Sequence, residues 1–175
     1  IRGTGFASGS GLFVEFGGQP ATNVQIVDDL TITCVPPARG PGVVGVTIDN
    51  SNGRTTLDRA FAYTPAVDHT GTTFPGSTPV LALHQPVGNQ VIAAFGFGPR
   101  TSLSFAPLVG TVEIAPSYTL FFSPHWFSNR VDLPLPIPAD PALTGVTMLF
   151  QSLAGSNLFF NAQGAFSNCH ELTIQ

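Results

Sequence analysis

The whole chain reads as β structure, and in several segments of its first half side chains repeat with the two-residue period of half-buried strands. In Leu12-Phe13-Val14-Glu15-Phe16, residues Leu12, Val14 and Phe16 share one face. The same beat returns with Val44, Val46 and Ile48, and again with Phe61 and Tyr63. Between these segments lies Asp49-Asn50-Ser51-Asn52-Gly53, whose Asn-Gly pair predicts a hairpin turn. A further strand is predicted around Thr31 to Cys34, and Pro36-Pro37 and Gly40-Pro41-Gly42 punctuate the connections. Short strands at regular spacing form the pattern of a β-sandwich.

The β pattern breaks at Thr64-Pro65 and resumes near Pro79. The interval holds Asp68, His69, several Thr and Gly, and Phe74-Pro75-Gly76, so it reads as a linker or an extended crossover strand. The expected domains are therefore residues 1–65 and 79–175, with a linker over 66–78. In the second half, strands are predicted at Val80 to His84, Gln90 to Phe97, Thr101 to Phe105, Thr111 to Ile114 and Tyr118 to Phe122. Arg130 to Ile137, Val146 to Leu153 and Phe166 to Ile174 complete the set. Eight short strands again favour two packed sheets. One short helical turn is predicted at Ala139 to Leu143, with Asp140 as its cap and Pro141 in the first helical position. The halves share no sequence repeat, which argues against a tandem of one module.

The first 65 residues carry a further signal. Ile1-Arg2-Gly3-Thr4-Gly5-Phe6 is followed by Leu12 to Ala21, Thr31 to Pro37, Val43 to Asn50 and Ala60-Phe61-Ala62-Tyr63-Thr64-Pro65. This order closely resembles the IPT/TIG family of immunoglobulin-like β-sandwich modules, common in cell-surface proteins. With the strand pattern of the second half, the expected fold class is all-β, two consecutive β-sandwich domains. The resemblance implies that the first domain is immunoglobulin-like and without chemistry of its own. It also implies a strand and a Gly-rich turn ahead of Gly3-Thr4-Gly5-Phe6, which places Ile1 inside the second strand of the family pattern. At the other end, Leu135-Pro136-Ile137-Pro138, Asp140-Pro141-Ala142-Leu143, Gly145, Phe150-Gln151-Ser152-Leu153, Phe166-Ser167-Asn168-Cys169 and Leu172-Thr173-Ile174 form a second pattern. It resembles a C-terminal β domain of secreted proteins from planctomycete-like bacteria. That resemblance implies an extracellular setting and a fold, and no mechanism.

Composition narrows the picture. Apolar residues make up 43% of the 175, enough for packed cores, and 19 Gly with 16 Pro would interrupt any long helix. Charged residues are only 9%, and Lys is absent. A surface this poor in charge offers little repulsion against self-association. A net charge of −4 with scattered single Arg residues excludes a nucleic-acid-binding face. Apolar runs are short and broken by Pro or Gly, so membrane insertion is not expected.

No local constellation predicts catalysis, a metal or a cofactor. His69, His84, His125 and His170 are far apart, and none has a partner at chelating spacing. No G-x-S-x-G elbow is present. Asp28-Asp29 is the sole carboxylate cluster, read as a polar turn with calcium binding as the sharper alternative. Cys34 and Cys169 read as separate buried thiols, a disulfide between the halves being the alternative.

The leading expectation is a non-catalytic extracellular structural or adhesive protein of the bacterial cell surface, assembled with itself or with other surface proteins. A sandwich short of an edge strand exposes unpaired backbone groups and a slot in its core, which a donated strand from another subunit fills. Repeated head to tail, that contact builds an open filament. The candidate acceptor edge is Ile1, Gly3 and Phe6, or Phe61 and Tyr63; candidate donors are a terminal segment or Asp68 to Thr78. The alternative is a carbohydrate-binding accessory module of a secreted enzyme, with Tyr118 and Trp126 as stacking rings and His125 as a hydrogen-bonding group. The same aromatic cluster also reads as core packing or as a subunit contact.

Overall fold

A computed structural model of the chain describes residues 1–104, 106, 108–115, 118–123, 129–157 and 163–175, without the side chains of 118, 120–123, 157 and 163. The chain divides into two compact units, Ile1–Tyr63 and Thr64–Gln175. Both are β-sandwiches.

Unit 1 contains β1 (Phe13–Phe16), β2 (Gln19–Pro20), β3 (Thr22–Asp28), β4 (Thr31–Val35), β5 (Gly42–Asn50) and β6 (Gly53–Tyr63). One sheet has the order β2-β1-β5-β6, and the hairpin β3-β4 forms the other. Ile1 to Gly3 lie along β4: Arg2 bridges Thr31, and Ile1 and Ile32 exchange amino and carbonyl groups at 2.9 and 3.1 Å. The alternating apolar positions point inward. Val14, Phe16, Ile32, Val44 and Val46 are buried around Phe6, whereas Phe13 faces solvent. Asn50 pairs with Gly53, so Ser51 and Asn52 form the β5-β6 turn, and Gly53, at φ 138°, opens β6 in a conformation that favours glycine. Farther along, Val44 faces Phe61 and Val46 faces Leu57, so Gly45 alone answers three residues of β6. Arg59 sits in that bulge with φ 56°.

Unit 2 contains β7 (Ala66–Thr70), β8 (Val80–His84), β9 (Gln90–Phe97), β10 (Tyr118–Ser123), β11 (Arg130–Pro134), β12 (Thr147–Asn157), β13 (Gln163–Phe166) and β14 (His170–Thr173). One sheet has the order β11-β8-β7. The other runs β10-β9-β12, and β13 and β14 follow each other along the free edge of β12. Between the sheets, Val67, Leu81, Leu83, Val91, Ala93, Met148, Phe150, Ala154, Leu172 and Ile174 form the core. A 3₁₀ turn spans Pro141–Leu143, and the Asp140 carboxylate accepts from Ala142 N at 2.9 Å, as the sequence predicts.

Two stretches differ from the sequence expectation. Residues 66–70, read there as part of a linker, form β7 and pair with β8 along their whole length. Ala66 and Val67 are buried, but Asp68-His69-Thr70 behind them hides the apolar beat. Thr101 to Phe105 and Thr111 to Ile114, read as strands, contribute only an isolated bridge between Leu103 and Val112 among the described residues. The buried Gln151 side chain accepts from Glu113 N at 2.9 Å and donates to Thr111 O at 2.8 Å, satisfying the backbone groups that 111–114 turns away from Leu103. Ile114 is thereby packed with Leu149 and Cys169 on the outer face of the larger sheet.

Candidate functional site

Two places in the structure gather more than packing requires. The first lies in unit 1, where a groove of about 990 Å³ opens from the surface into the sandwich interior. Ile1, Gly3 and Phe6 form one side of it, and Thr55, Leu57 and Phe61 of β6 form the other. Phe16, Ile32 and Val46, which are core residues, supply its floor. The lining is strongly apolar, and its rim is exposed: Ile1 is 40% and Leu57 69% accessible. β6 is the last strand of its sheet, so its outer edge meets no further strand among the described residues. Protein interiors normally pack to the density of organic crystals, so an opening of this size beside a free strand edge departs from ordinary core packing.

Local chemistry keeps the groove in shape. The Phe6 ring lies so close to Gly3 that a β-carbon there would come within 2.7 Å of it. The loop behind Phe6 hangs on Asp29, whose carboxylate accepts from Ala7 N at 3.0 Å and from Gly5 N and Ser8 N at 3.3 Å. Asp28 accepts from Leu30 N at 2.8 Å. Both carboxylates of the Asp28-Asp29 pair thus serve as turn acceptors. On the opposite side, Phe61 stacks edge-on against Phe16 and Tyr63, with centroids 5.0 and 5.1 Å apart. The Tyr63 hydroxyl is buried and meets no partner among the described residues. Burial pushes its pKa up, with Arg39 opposing. Of the residues proposed from sequence for an acceptor edge, Ile1, Gly3, Phe6 and Phe61 line the groove, and Tyr63 buttresses it from behind.

Residues of the sugar-binding alternative fall differently. Tyr118 belongs to β10 and pairs with Gly96, but its side chain lies outside the described residues, as do His125 and Trp126.

The second place lies in unit 2. His69 on β7 and His170 on β14 are 101 residues apart in sequence, yet His69 Nδ1 and His170 Nε2 are 2.7 Å apart. Asp68 joins them: one ligand atom from each of the three lies within 4.8 Å of the others, and all three residues are half-buried. The Asp68 carboxylate is held against the backbone by accepting from His69 N at 2.8 Å. β7 and β14 are edges of opposite sheets and make no backbone ladder with each other. Asn168 bridges them instead, accepting from Val67 N and donating to Val67 O, both at 2.9 Å. Beyond the histidines, Thr73 donates to Thr173 O at 2.9 Å and accepts from Gln175 N at 3.0 Å. Local spacing gave no sign of this cluster, because each histidine comes from a different strand.

The neighbouring Cys169 is buried, which pushes its pKa up to about 11, with Arg100 opposing. Cys34 is half-buried and also raised by burial, with the amino terminus opposing. Both cysteines are free thiols. Arg100 donates to Glu171 at 2.8 Å and Glu113 at 3.0 Å, so Glu171 is drawn away from the His170 side of the strand.

The IPT/TIG domain model matches residues 1–63, the whole of unit 1. Unit 1 is therefore an IPT/TIG immunoglobulin-like domain, a module type that is generally non-catalytic and often part of extracellular or adhesion proteins. The match does not reach unit 2, and no comparison supports its likeness to the planctomycete-type secreted domain. No curated protein matches the chain.

Proposed function

We propose that this chain is a non-catalytic structural or adhesive protein of the extracellular surface, and that its immunoglobulin-like unit accepts an extended strand from another polypeptide. The observation that carries the reading is the apolar groove of unit 1, open to solvent alongside the free edge of β6. A strand laid there hydrogen-bonds to β6 through its backbone and drops alternate apolar side chains onto Phe6, Phe16, Ile32 and Phe61. The β6 bulge at Asp58 to Ala60 limits regular pairing to the stretch on either side of it.

In its filament form the donor is a further copy of the same protein, favoured by a surface with 9% charged residues and no Lys. The donor segments suggested by sequence are engaged at home. Asp68 to Thr70 lie in β7, and Leu172 and Ile174 are buried in the core of unit 2. The donor is therefore sought in another segment of the protein or in a different surface protein.

Light scattering on the purified chain across a concentration series tests the filament form. The expected result is concentration-dependent association that Leu57→Arg abolishes while leaving stability within about 0.5 kcal/mol, since Leu57 is exposed. Chains that stay monomeric at every concentration contradict the filament form. Association untouched by Leu57→Arg contradicts the groove as its site.

A further inference from the structure

We propose that Asp68, His69 and His170 form a binding site for a divalent transition metal ion, with Zn²⁺ as the best fit. The reading is independent of strand acceptance, because the cluster lies wholly in unit 2. Three observations on the cluster converge. Its donor set is two imidazole nitrogens and one carboxylate oxygen, all half-buried. Nitrogen donors of this kind select zinc and its neighbours over calcium or magnesium, which take oxygen ligands.

The spacing is also close to what an ion needs. Two ligands roughly 2.0–2.1 Å from a tetrahedral zinc lie about 3.3 Å apart. The nitrogens of His69 and His170 stand at 2.7 Å, so they part by a few tenths of an ångström, within ordinary side-chain freedom. The N–H proton between the rings leaves that position, moving to the outer nitrogen of its own ring or to water. Each ring then presents a neutral lone pair and Asp68 a carboxylate oxygen. Three protein ligands leave a coordination position for water.

The third observation is the scaffold. His69 is fixed by pairing with Leu81, and His170 by pairing with Phe150. The two strands are tied to each other on either side by Asn168 and Thr73. Ligands carried by paired strands that are themselves tied together sit on a rigid scaffold. An ion there links the edge of the β11-β8-β7 sheet to the edge of the larger sheet, where no backbone ladder joins them.

The test uses the full chain, free of any affinity tag and stripped with a chelator, then equilibrated with zinc chloride and dialysed. We expect one zinc ion per chain by elemental analysis. Cobalt(II) at the same site should give a visible absorption spectrum of a nitrogen and oxygen ligand set, bleached by added zinc. His69→Gln and His170→Gln should each weaken zinc binding by at least the roughly 10–100-fold that loss of a mere outer-shell partner costs. Asp68→Asn should weaken it too, and His84→Gln should leave it unchanged. Should a histidine variant fail to fold, ring nitrogen resonances of the wild-type chain decide: Nδ1 of His69 and Nε2 of His170 should shift on zinc addition. No uptake by the wild-type chain at micromolar zinc overturns the proposal. So does uptake that both histidine variants retain in full, or ring resonances that do not move.

Discussion

Asn168 pairs with Val67 as a strand residue would, giving its side-chain amide to both backbone groups of Val67 at 2.9 Å. An amide side chain has one donor and one acceptor in the geometry of a peptide unit, so it can stand in for a missing strand. In this molecule it joins two sheets whose edge strands share no ladder. Asn168→Ala leaves a partly buried N–H and C=O without these partners, and we expect a loss of about 1–3 kcal/mol. Asn168→Asp keeps the acceptor for Val67 N but sets a carboxylate oxygen against Val67 O, so it should lose at least as much. Chemical denaturation of the variants checks the order.

The buried hydroxyl of Tyr63 predicts the opposite sign. It sits among aromatic rings without a hydrogen-bond partner among the described residues, so it costs desolvation and returns nothing. Tyr63→Phe should be neutral or stabilising by up to about 1 kcal/mol, read from thermal unfolding. A clear loss of stability would show that the hydroxyl has a partner after all.

Thiol chemistry gives a pH prediction. Burial raises the Cys34 pKa above the ordinary thiol value, the amino terminus only partly offsetting it. A group whose native pKa is raised stabilises the fold while the thiol is neutral in both states. That contribution is lost as pH rises from the unfolded thiol value through the raised native one. Alkylation of native Cys34 by iodoacetamide should therefore lag behind that of an unfolded control, with its pH profile displaced to the alkaline side. Mass spectrometry of peptides quenched at successive times measures this. Equal rates in native and unfolded chains would contradict it.

Zinc should raise stability as well as bind. An ion held by folded unit 2 alone adds about 2.7 kcal/mol when free zinc is a hundredfold above its dissociation constant. Unfolding followed with and without zinc should show that gain in the wild-type chain and its loss in His170→Gln.

Sequence legibility followed the range of the interactions. β8 and β9 match the predicted bounds to the residue, because Val80 to His84 and Gln90 to Phe97 are short apolar runs bounded by Pro or Gly. Asp140 could be read as a cap because capping is settled within three residues. The 101–114 stretch looked like two strands because its side chains suit strands. In the fold the outward backbone groups of Thr111 and Glu113 bond to the Gln151 amide, 40 and 38 residues away, rather than to another strand. His69 and His170 lie farther apart still, and only the meeting of two sheet edges makes them neighbours. The groove was partly legible, since Ile1, Gly3, Phe6 and Phe61 were singled out from a family pattern. That it is open could be seen only once β6 was placed at the end of its sheet.

Strand acceptance is tested most directly by amide hydrogen exchange along β6 in assembled and dissociated samples. Amides of Gly53 to Leu57 that point away from β5 have no strand partner in the isolated unit and should exchange rapidly there. The account expects those amides to become strongly protected on assembly, and the protection to disappear in Leu57→Arg. Assemblies in which the outward amides of β6 exchange as fast as in the monomer would contradict it.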